Sequence, residues 1–98
     1  MIPENFPSFQ KTLEEAKPSS AWPLPLQALW YDARGDWEAS HDIAQDLHTP
    51  MGSWIHAYLH RKEGDDWNAK YWYSQAGKSF PNYGLEEELK LLVETNLQ

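Results

Sequence analysis

A chain of 98 residues has room for one domain around a single modest core. Its net charge of −7, with only eight Lys and Arg scattered along it, excludes the clustered cations that nucleic-acid phosphates or an anionic membrane surface require. The absence of cysteine excludes disulfides, thiolate metal sites and cysteine nucleophiles.

Residues 1–10, MIPENFPSFQ, have neither a basic start nor an apolar run, so no secretory leader is expected there. No apolar stretch approaches the roughly 20 residues of a membrane-spanning helix, and a cytoplasmic protein is expected. Proline and glycine then divide the chain into pieces of helical length. Ser8 is expected to cap a first helix running to Lys17, with Phe9, Leu13 and Ala16 at helical spacing and Pro18 as its stop. PSSAWPLP reads as a linker.

A second helix over 24–34 carries Leu26, Leu29 and Trp30 and ends at Gly35. Asp36 opens a third over 36–47, with Trp37, Ser40, Ile43, Ala44 and Leu47 along one side. A fourth spans 51–63 behind Thr49 and Pro50 and stops at Gly64. Asp65 or Asp66 caps the fifth, where Ala69, Trp72, Tyr73 and Ala76 follow a helical period before Gly77. After the loop KSFPNYG, the stripe of Leu85, Leu89, Leu92, Val93 and Leu97 predicts a last helix over 85–97. Glu86, Glu87 and Glu88 lie at its positive end. No strand pattern competes with these helices.

The chain contains a weak internal duplication. Ala28 and Ala57 each stand seven residues before a glycine, Gly35 and Gly64, and the glycine is followed by Asp, Trp and Ala in GDWEA and GDDWNA. Two helices joined by so short a turn approach closely, and alanine permits that approach. On these residues the sequence resembles the tetratricopeptide family and its Sel-like relatives over about residues 24–81. The second copy supplies Ala57, Gly64, Ala69, Tyr73, Ala76 and Pro81 in the family register. The first supplies Ala28, Tyr31, Gly35, Ala39 and Ile43, with a turn read as one residue shorter and Asp46 where a small apolar residue belongs. The phrase HAYLHRKEGD is also similar to small uncharacterised proteins, a likeness that implies no activity.

The expected architecture is therefore all-α, with two stacked antiparallel helical hairpins in one domain over 1–98. Residues 1–23 form a leading helix and linker, 24–50 the first hairpin, 51–81 the second, and 85–97 a capping helix. The resemblance implies a concave face lined by the first helix of each hairpin, with Met51, Trp54, Tyr58, Arg61 and Lys62 placed on it. Aromatics beside arginine are common anchors at recognition surfaces. A peptide- or protein-binding scaffold without a cofactor is the leading expectation, and a homodimer hiding tryptophan-rich surface is another. Trp30, Trp37, Trp67 and Trp72 read as glue between helices, and Trp22 and Trp54 as the exposed pair.

The competing expectation, a small metal- or ligand-binding protein or enzyme, centres on histidine. His56 and His60 lie four apart on one helix face, His41 lies on the preceding helix, and Glu63 follows His60 by one turn. Three imidazoles and a carboxylate suit zinc or iron. The same imidazoles also read as interhelical polar core groups, in a cluster with Asp42 or Glu63. Residues 57–59 are Ala-Tyr-Leu, so the His-Glu-x-x-His protease signature is absent. No nucleophile elbow or phosphate loop occurs, and no acid/base pair stands out among fifteen carboxylates.

Overall fold

The computed structural model describes residues 2–98, and all of their regular secondary structure is helical. The chain forms α1 (Phe6–Lys11), a 3-10 turn (Thr12–Glu14), α2 (Leu24–Ala33), α3 (Trp37–Gln45), α4 (Pro50–Lys62), α5 (Asp66–Gln75) and α6 (Leu85–Asn96). Capping side chains set most of these starts. Asp36 accepts from the Ala39 N–H at 3.1 Å, Thr49 from Gly52 at 3.0 Å and Asp65 from Asn68 at 3.2 Å. Pro50 then occupies the first position of α4, where a missing N–H costs nothing.

The first helix departs from expectation at both ends. Its cap is Asn5, which accepts from the Ser8 N–H at 2.9 Å, so Ser8 lies inside the helix. It stops near Lys11 because side chains of α2 and of its C-cap, Arg34, claim the carbonyls that a longer helix would use. Trp30 Nε1 donates to Thr12 O at 3.2 Å, and Arg34 donates to Leu13 O at 3.0 Å and also to Glu15 O.

The two Gly-Asp turns are alike, hydrogen bond for hydrogen bond. Gly35 N–H donates to Asp32 O and Asp36 N–H to Tyr31 O; 29 residues later Gly64 donates to Arg61 O and Asp65 to His60 O. Both glycines have a left-handed backbone, φ 90° and 88°. The turns are thus of equal length, which corrects the one-residue difference read from the sequence. In this register Ser40, not Ala39, is the counterpart of Ala69, and both are fully buried, as are Ala28 and Ala57.

Each helix packs on its neighbour in sequence from α2 to α5, while α6 lies against α2 and α4 and also meets α1. α4 is the central rod: residues 54–59 are all buried, so it has no solvent face along that length. Its entry is tight, since a Cβ on Gly52 would stand 2.2 Å from Leu47 O. The tryptophans sort differently from expectation. Trp22 and Trp54 are only 5% and 4% exposed, packed under α1 and α6, whereas Trp67 at the start of α5 is 81% exposed. No helix among the described residues is long and apolar enough to cross a membrane.

Candidate functional site

The polar side chains of α4 divide between two faces. Toward α2 and α6, Trp54, Tyr58, Arg61 and Lys62 all find carboxylate partners. Trp54 Nε1 donates to Glu88 Oε2 at 3.1 Å, and the Tyr73 hydroxyl donates to the same oxygen at 2.6 Å. Arg61 donates to Glu88 Oε1 at 2.7 Å and to Tyr83 O. Tyr58 and Lys62 donate to the two oxygens of Asp32 at 2.8 and 2.9 Å. Burial, with the adjacent carboxylates, pushes the Tyr58 and Tyr73 hydroxyls well above the usual phenol range, so both remain donors.

The face expected to be an open groove is therefore filled. α6 lies in it, Trp54 and Tyr58 are buried, Arg61 is largely covered, Met51 is half-buried, and Lys62 is exposed. The sequence places Glu86, Glu87 and Glu88 together at the positive end of the last helix and does not single out Glu88. Glu88 instead sits within the Leu85–Leu92 stripe at helical spacing and is fully buried, a signal present in the periodicity.

On the opposite face the histidines converge. His56 and His60 project from successive turns of α4, and the packing of α3 on α4 brings in His41. The ring centroids of His41 lie 4.6 Å from those of His56 and 5.3 Å from His60, with His56 and His60 4.8 Å apart. One nitrogen from each ring can be chosen so that all lie within 4.8 Å of one another. His41 Nε2 and His56 Nε2 are 2.9 Å apart, so one must carry a proton and donate while the other accepts. His60 Nδ1 stands 2.6 Å from Glu63 Oε1, which leaves its Nε2 free of that bond. The carboxylate at this cluster is thus Glu63, while Asp42 is exposed on α3.

Two indoles wall the cluster, and sequence reading did not connect them with it. Trp37 stacks on His41 at 4.8 Å and is fixed by donating from Nε1 to Leu59 O at 2.8 Å. Trp72 of α5 stacks on His56 at 4.1 Å. The spacing of Trp37 four residues before His41 was a legible sign; nothing local in α5 announces Trp72. Burial, then the charges on His41 and His60, hold the His56 imidazole down to about 4. Burial also lowers His41, followed by the effect of His60, against partial compensation from Asp42 and Glu63. At neutral pH His41 and His56 are uncharged and carry lone pairs.

Asp65 lies close enough to His60 and Glu63 to join a second carboxylate-rich group. Its oxygens are committed to Asn68, accepting from the backbone N–H at 3.2 Å and the side-chain amide at 2.6 Å. The three-imidazole cluster is the arrangement with ligand capacity to spare. No model of a known protein family matches the chain, and neither the curated proteins nor the solved structures give a match.

Proposed function

We propose that this chain binds one divalent transition ion, zinc in the first instance, through His41, His56 and His60, with Glu63 orienting His60 from behind. The observation that carries the reading is the convergence of three imidazoles from two packed helices, with donor nitrogens within 4.8 Å. Two nitrogens bound to a tetrahedral zinc lie roughly 3.3 Å apart, given Zn–N distances near 2.0–2.1 Å. The 2.9 Å between His41 and His56 needs only a small outward movement of the rings to admit the ion. The His60–Glu63 contact has the form of the outer carboxylate that fixes a ligand histidine's tautomer and orientation. Three protein ligands leave a further coordination position open.

The same proposal reads the two helix pairs as diverged copies of a tetratricopeptide-like unit, which the equivalent Gly-Asp turns support. α6 lies against the face of α4 on which a peptide-binding groove was expected, which favours the histidine face instead.

Titration of the full chain, made without a histidine tag, with Zn²⁺ and with Co²⁺ as an absorbing substitute tests the reading. One ion per chain and the visible bands of tetrahedral Co²⁺ are expected. His41→Ala, His56→Ala and His60→Ala should each lose the bands, while Glu63→Gln should keep the stoichiometry and weaken affinity about 10–100-fold. Substoichiometric uptake, or binding indifferent to all three histidines, would refute the site.

A further inference from the structure

Away from the histidines, a cavity of about 330 Å³ opens beneath α1, against the last turns of α2 and α4 and the first turn of α6. This volume is at the small end of the range for ligand pockets. Phe6, Phe9, Leu13 and Leu89 give it apolar walls, and Asp32, itself only 2% exposed, is among the residues that line it. A charged group so buried, bordering a void, is an uncommon pairing. The Tyr58 hydroxyl holds one oxygen at 2.8 Å and the Lys62 ammonium the other at 2.9 Å.

The charge of the lining favours a cation. Asp32 and exposed Glu86 oppose the single positive charge of Lys62, and Asp32, Ala33 and Lys62 lie in the last turns of two helices, where the backbone dipoles present negative ends. Lys62 reaches Asp32 on a long flexible stem with more than a third of its side chain exposed, so its head group can withdraw to water. We infer that the cavity is a binding site for a small primary ammonium with an apolar, ring-bearing body. The rings pack against the α1 phenylalanines and Leu89, and the ligand's ammonium replaces that of Lys62 on Asp32. Lys62 thus acts as an internal competitor that occupies the cation position when no ligand is bound. This inference is independent of the metal proposal, since none of the cavity's lining residues belongs to the histidine cluster.

Calorimetric titration of the full chain with 2-phenylethylammonium, and in parallel with 3-phenylpropionate, tests it. The amine should bind with a dissociation constant of about 1 mM or tighter, and the carboxylate about tenfold or more weakly by comparison. Leu89→Trp, which fills the cavity, should abolish amine binding. Lys62→Met should tighten it by about tenfold, because the competitor is gone. Equal binding of the two probes, no amine binding by about 10 mM, or undiminished binding to Leu89→Trp would overturn the site. If Lys62→Met does not fold, the two-probe comparison and Leu89→Trp decide the question.

Discussion

Burial of His56 among two other imidazoles and an indole makes protonation compete with folding. Its pKa is about 4 in the folded protein against an ordinary value of 6.5. Between these values the unfolded chain binds a proton that the folded chain excludes, so stability falls as pH drops from about 6.5 toward 4 and is level above that window. The effect of this one ring is about 3 kcal/mol, and His41 acts in the same direction. For metal-free protein, the urea midpoint should fall across the window, and His56→Leu should flatten the slope. An equally steep slope in that variant would place the acid sensitivity elsewhere. The pairing of His56 with His60 was legible from their spacing, and the approach of His41 followed once α3 was known to pack on α4. Whether each tryptophan is exposed was not legible: Trp22 and Trp54 are buried by elements distant in sequence, and Trp67 takes an outward position on α5.

Local signals defined the helices well wherever they were complete. Asp36 caps as the sequence indicates, Asp65 rather than Asp66 caps α5, Thr49 stands just ahead of α4 and caps it, and Gly35 and Gly64 end the preceding helices. The early end of α1 was hidden because its cause, Trp30 of α2 and Arg34 just beyond it, lies elsewhere in the chain. Glycines of two kinds give a test at this scale. Gly35→Ala meets no atom within 4 Å and suffers only its left-handed backbone, at about 1–2 kcal/mol. Gly52→Ala gains helix propensity yet drives a methyl into the Leu47 carbonyl and Cβ, and should cost more, about 3 kcal/mol. Comparison of denaturant midpoints should rank Gly52→Ala as the more damaging; the reverse order would mean that the α3–α4 link yields easily.

At the scale of the molecule, α6 closes the fold by placing one carboxylate among three donors from α4 and α5. Glu88 joins Trp54, Arg61 and Tyr73, so its removal leaves an indole N–H and a hydroxyl without their partner and the guanidinium with only the Tyr83 carbonyl. Glu88→Ala should cost about 3–5 kcal/mol in urea unfolding, well beyond Glu87→Ala, whose side chain is exposed. Similar losses in the two variants would show that the network contributes little. The apolar stripe of α6 was readable in the sequence, but the helices it covers were not, because the stripe specifies a buried side and leaves its partner unnamed.

The stacking of Trp37 and Trp72 directly on His41 and His56 has an optical consequence. Indole fluorescence is quenched by a charged imidazole in face contact, so two of the six chromophores record the ionic state of the rings beneath them. The other four, Trp67 open to water among them, do not stack on these rings, and the chain carries its own reporter of what happens at the histidines without any attached dye.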